Sequence, residues 1–123
     1  MNLNKNTKTM THDLADTYDV DKREMLVETE NVRVHTLHLT EGQIIPWHKH
    51  TEVDDTFVCL TGETIILSDG KQKNIKLSPG ERCTIYCGVG HAVKPKSKKG
   101  TSFLLIQATG KHDFIPLPIR SII

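Results

Sequence analysis

The chain has 123 residues, with 16 Lys and Arg against 15 Asp and Glu and a formal net charge of +1. That length predicts one domain able to bury a core without disulfide staples, and the balanced charge gives no electrostatic reason to expect nucleic acid or a membrane surface as a partner. No apolar run approaches the length that crosses a bilayer and the N-terminus lacks the apolar core of a signal peptide, so the expected location is the cytoplasm.

Residues 1–20 are polar, rich in threonine and without a period, which predicts a flexible arm or an edge-pairing extension ahead of a single domain over 21–123. "NVRVHTLHLTEG" alternates β-branched, polar and aliphatic residues and predicts a strand that stops at Gly42. "DTFVCLTGETIILSDG" reads as two strands around Thr61-Gly62, closed by an Asp69-Gly70 turn. "KNIKLSPGERCTIYCGVGHAVKPKSKKG" repeats the style with a turn at Pro79-Gly80, and its lysine run from Lys94 to Lys99 lacks interleaved aromatics, so it reads as a solvated loop. "TSFLLIQATG" is a nearly continuous apolar strand. Many short strands punctuated by Gly and Pro predict an all-β sandwich or barrel. Cys59, Cys83 and Cys87 form neither an even set nor a Cys-x-x-Cys pair, and are expected as small buried or strand-face side chains. The tail "HDFIPLPIRSII" carries Phe114, Ile115, Leu117, Ile119, Ile122 and Ile123, apolar surface that must be covered either across a barrel mouth or against a second subunit. A twofold homodimer is the expected assembly.

The chemistry concentrates in "PWHKHTEVDDTFVCL", from Pro46 to Leu60. Residues two apart share a face on a strand but not on a helix, so His48 and His50 can converge on one cation only from a strand. Two imidazoles hold a divalent ion weakly, and a third is available in "YCGVGHAV", where His91 follows a turn glycine at the start of an apolar strand. Glu52, Asp54 and Asp55 offer a carboxylate. Asp55 is favoured because it opens the alternation Asp55, Phe57, Cys59, whose common face would be the interior one. The competing reading makes the histidines surface residues of an edge strand. Trp47 and Lys49 fall on the opposite face as packing or surface groups. His35 and His38, three apart, cannot share a strand face, and His112 in "GKHDF" is expected in a loop.

Two segments resemble the motifs of the cupin family. "GQIIPWHKHTEVDDTFVCLTG", Gly42 to Gly62, is similar to G-x5-H-x-H-x3/4-E-x6-G with Asp55 in place of Glu, and "GERCTIYCGVGH", Gly80 to His91, is similar to G-x5-P-x-G-x2-H with Tyr86 in place of Pro. The resemblance, over about residues 30 to 110 and closest to the small single-domain cupins, implies a double-stranded β-helix, or jelly-roll barrel, holding one divalent metal ion, with Fe, Mn, Ni, Zn and Co all admissible. It implies His48, His50 and His91 as imidazole ligands and Asp55 as the carboxylate. The shorter side chain leaves direct ligation and a water-bridged position both open for Asp55. Such a site implies metalloenzyme chemistry on a small-molecule substrate, with a dioxygenase as first choice and decarboxylase, lyase or isomerase as the other branches. Asp55, Gln107 and Tyr86 are then candidate catalytic groups, with Glu52 and Asp54 nearby. Gln107 is a polar residue in an apolar strand and, if interior, needs a partner. A non-catalytic metabolite-binding or sensor barrel is the alternative.

Overall fold

A computed structural model describes residues 18–118. Among these there is no helix, and so none long and apolar enough to cross a membrane. The strands are β1 (Lys22–Glu28), β2 (Val32–Leu39), β3 (Ile45–Lys49), β4 (Asp54–Gly62), β5 (Thr64–Ser68), β6 (Asn74–Leu77), β7 (Arg82–Ile85), β8 (His91–Pro95), β9 (Thr101–Ala108) and β10 (Ile115–Pro116). They form two antiparallel five-stranded sheets, ordered β1-β2-β9-β4-β7 and β10-β3-β8-β5-β6. From β2 onward the chain crosses repeatedly between the sheets, so each sheet is stitched from strands distant in sequence. This is the expected all-β jelly roll.

The interior follows from strand alternation. In the first sheet, cross-strand rows run His35–Leu105–Phe57–Cys83 and then Leu37–Phe103–Cys59. Leu37, Phe57, Cys59 and Phe103 are each no more than 1% exposed, and Ile45, Ile66 and Val93 close the core from the second sheet. One row nearer the end of the barrel, the residues turn polar: Arg33, Gln107 and Asp55 sit side by side. β5 is buried on both faces, because Ile65 and Leu67 join Trp47 and Ala92 in a second apolar cluster that Ile44 and Leu117 cover.

Several expectations change. β1 carries the charged sequence KREMLVE at a sheet edge, where exposed polar residues mask any strand pattern. Lys94 and Pro95 end β8 and only the rest of the lysine run is loop. Cys59 is buried and Cys83 half-buried, but Cys87 is exposed in a turn, because the chain leaves β7 two residues earlier. The tail folds over its own barrel as far as it is described: Phe114 is buried in the core cluster and β10 pairs with β3. Residues 1–17 of the polar arm, and Ile119, Ile122 and Ile123, lie outside the described residues; Tyr18 stacks on Phe114 with ring centroids 5.7 Å apart.

Candidate metal centre

Strand β3 alone would not aim His48 inward. Ile45 belongs to the core, and strict alternation would place Trp47 inside and His48 outside. The β3–β8 register instead shifts between Ile45 and His48. Pro46 has no N–H to give the ladder, and the irregularity there reverses the alternation. Trp47 therefore joins the outer cluster while His48 and His50 face the interior, with ring centroids 4.9 Å apart. His91 opens β8 directly opposite His48, and Asp55 enters from β4 in the other sheet.

All four residues are buried, and the atoms they offer lie within 4.8 Å of one another. Each imidazole is oriented from behind. The Nδ1 atoms of His48, His50 and His91 face the carbonyls of Pro46, Asp113 and Val89, with separations of 2.7 Å for His48 and 2.9 Å for His91. A carbonyl only accepts, so Nδ1 carries the hydrogen and Nε2 is the atom left for the centre. The Nε2 atoms of His50 and His91 lie 3.0 and 2.9 Å from Oδ2 of Asp55. In neutral imidazoles these would be lone pairs facing a carboxylate lone pair. The arrangement is satisfied only by positive charge in between, supplied by protons or by a metal cation. The donor set therefore fits one divalent ion.

Electrostatics agree. Burial would raise the Asp55 carboxyl, but hydrogen bonds from His50 and His91 outweigh it and hold Asp55 well below the ordinary carboxylate range. Burial pulls His50 down, yet the Asp55 carboxylate and the Asp113 carbonyl raise it above its ordinary value. His48 is lowered to about 3 by burial, helped by its neighbour His91.

Gln107 is interior and donates through Nε2 to Oδ1 of Asp55 at 3.0 Å, which turns Oδ2 toward the histidines. Tyr86 is not brought into the cluster. It lies just past β7 and is 65% exposed. Asp54 accepts from the Cys87 amide and Glu52 from the Lys111 amide, so both brace loops rather than face the site. Beyond the expected set, Tyr18, Arg33, His35, His112 and Phe114 line the pocket. Phe114 stacks on His48 with centroids 4.3 Å apart, and an Arg33 guanidinium nitrogen lies 2.5 Å from His112 Nδ1. Odd-numbered residues of β2 face inward, so alternation placed Arg33 and His35 on one face; only the β2–β9 pairing shows that this face reaches the His-His-Asp-His cluster.

No protein-family model and no curated protein matches the chain. Solved structures share its fold. A cupin-2 domain protein from Shewanella frigidimarina matches with a TM-score of 0.59 at 21% identity, over 73% of this chain and 82% of that one. An uncharacterised conserved protein with a double-stranded β-helix domain from Klebsiella pneumoniae matches at 0.68 and 21%, over 92% and 100%. The oxalate decarboxylase of Lactobacillus farciminis matches at 0.67 and 10%, over 83% of this chain and 34% of the decarboxylase. The two interleaved sheets and these likenesses show that the chain has the cupin fold, a double-stranded β-helix.

Proposed function

We propose that the chain is a mononuclear metal enzyme acting on a small molecule, with an oxygen-dependent reaction of the dioxygenase type as the first reading. The observation that carries it is a buried cluster in which three imidazoles, each held by an Nδ1–H bond to a carbonyl, and the Asp55 carboxylate bring their ligand atoms within 4.8 Å of one another, with the Nε2 atoms of His50 and His91 directly at Asp55 Oδ2. A divalent ion held by three imidazoles and at most one carboxylate supplies Lewis acidity and open positions for small ligands. The chain's own residues do the rest. Gln107 holds Asp55 in orientation, and Ile45, Phe57, Val93 and Leu105 form an apolar wall that keeps water from the site.

The second reading, a non-catalytic binding barrel, draws support from the narrowness of the pocket, which has room for about one water molecule. Anaerobic reconstitution of the full-length protein with ferrous iron, followed by oxygen-uptake screening of thiols, catechols and diketones, separates the readings. Iron-dependent uptake that His50→Ala abolishes is the expected result. Metal-dependent turnover without oxygen moves the assignment to the decarboxylase, lyase or isomerase branch, and metal uptake without turnover of any of these compounds favours the binding barrel.

A further inference from the structure

One wall of the buried pocket carries polar atoms without hydrogen-bond partners. His35 is 4% exposed, and among the described residues neither its Nδ1 nor its Nε2 is hydrogen-bonded. A neutral imidazole presents one donor and one acceptor, so His35 brings one unmet function of each kind. Gln107, 3% exposed, adds another. Its Nε2–H must be the group facing Asp55, because a carboxylate only accepts. The amide orientation is thereby settled, and Oε1 is left as a buried acceptor with no donor. In the β2–β9 register His35 lies opposite Leu105 and Gln107 opposite Arg33, which makes the two residues diagonal neighbours on the interior face. Side chains so placed are close enough for one small ligand to touch both. They line the same pocket as His48, His50 and Asp55.

We propose that His35 and Gln107 form a recognition subsite beside the metal position for a small hydroxyl-bearing ligand, of which an α-hydroxy carboxylate is the simplest; this rests on the metal-enzyme reading above. Gln107 Oε1 can be met only by an O–H or N–H. A fully deprotonated dicarboxylate brings acceptors alone and would set lone pairs against it. A hydroxyl donates to Gln107 Oε1 and accepts from the His35 N–H at once. The free space beside these groups is the size of one water molecule, which suits a hydroxyl. The remainder of the ligand fits only if Tyr18, His112 or Phe114, which line the same small pocket from segments outside the strands, move aside.

The test uses full-length protein loaded with Zn2+ and labelled with 15N-histidine, titrated with glycolate and separately with acetate, which lacks the hydroxyl. The His35 ring nitrogens, assigned by their loss in His35→Leu, should shift with glycolate and stay still with acetate. Because Gln107 also braces Asp55, Gln107→Leu should weaken glycolate roughly tenfold more than it weakens acetate. If His35→Leu does not fold, the Gln107→Leu affinities decide alone. Ring nitrogens silent toward glycolate, equal shifts with both ligands, or a glycolate affinity that falls no more than that of acetate in Gln107→Leu overturn the subsite. Zinc content of the same samples judges the metal centre separately. A zinc-free wild type whose His35 still responds to glycolate retains the subsite and drops the metal reading, whereas a zinc-loaded protein without the response does the reverse.

Discussion

His48, His50 and His91 are each tied at Nδ1 to a backbone carbonyl, so the protein has committed the Nε2 atoms before any ligand arrives. An ion that binds only the folded state raises its stability by about 2.7 kcal/mol at a hundredfold excess over Kd. Added Zn2+ should therefore raise the Tm of the wild type, His50→Ala should lose the response, and His38→Ala, whose ring is near Asp21 and outside the cluster, should keep it. Equal zinc content in wild type and His50→Ala would contradict the site. Without metal, the histidines predict a second behaviour. Burial, the largest cause for both, holds His35 and His48 at about 3 against an ordinary 6.5. Between those values the unfolded chain binds protons that the folded chain does not, so stability falls on acidification, by up to about 1.4 kcal/mol per pH unit for each histidine. His50 has the opposite sign: its raised folded value adds stability that is complete below its ordinary 6.5 and lost as pH rises through the folded value. The lowered Asp55 adds stability that is present above its ordinary 3.8 and lost as pH falls through the folded value. Urea melts of metal-free protein from pH 6.5 to 4 should show the decline, and His35→Leu should show a shallower one.

Among the elements, β3 and the tail decide the shape of the site. The irregularity at Pro46 turns a strand that would point Trp47 into the barrel into one that points His48 and His50 there, and β10 then lies along the same edge, with the Leu117 amide donating to the Trp47 carbonyl. Phe114, 7% exposed and stacked between His48 and Tyr18, closes the pocket. Phe114→Ala should destabilise the protein by about 3 kcal/mol in a denaturant melt, and a loss below 1 kcal/mol would mean that the tail does not hold this position in solution. At the far end of β4, Gly62 has a φ of 69°, and a Cβ there would lie 2.1 Å from the Gly100 carbonyl oxygen. Neither the backbone conformation nor the contact can be relaxed by a side-chain rotation. Gly62→Ala should cost at least about 2 kcal/mol, whereas Gly42→Ala, with open space around it, should suffer only the left-handed backbone penalty.

For the molecule as a whole, two sheets stitched from alternating strands place the polar row Arg33–Gln107–Asp55 at one end of an otherwise apolar barrel. The core below that row holds the sheets at a fixed separation, which keeps the three histidines of one sheet side and Asp55 of the other within one 4.8 Å cluster. Assembly belongs to this scale. β1 is a sheet edge, and its Leu26 and Val27 are 51% and 47% exposed. Exposed edges invite pairing with another strand, and closed twofold dimers are the commonest oligomers. A dimer is therefore expected, and light scattering at micromolar concentration that returns 13.9 kDa would remove it.

The all-β fold class and all four candidate ligands, His48, His50, Asp55 and His91, were legible because they depend on local pattern and spacing. Alternation over Asp55, Phe57 and Cys59, turns at Gly62 and Pro79-Gly80, and a His-x-His pair all report a period of two, which strand geometry imposes on any sheet. Asp55 was narrowed from three acids by the same rule, and its burial at 1% agrees. Register lies beyond such local pattern. Which residue of β2 lies opposite which residue of β9 depends on packing across the whole sheet, so His35 could be excluded as a partner of His38 without being seen beside Gln107. The Pro46 irregularity and the return of Phe114 onto His48 are likewise tertiary facts: each joins segments whose separation along the chain carries no periodic signal. The 65% exposure of Tyr86 was not legible either, because its place at a motif position says nothing about exposure. Local sequence thus determined the kind of strand and the kind of ligand, while the closing of two sheets on each other decided which polar groups share one buried space.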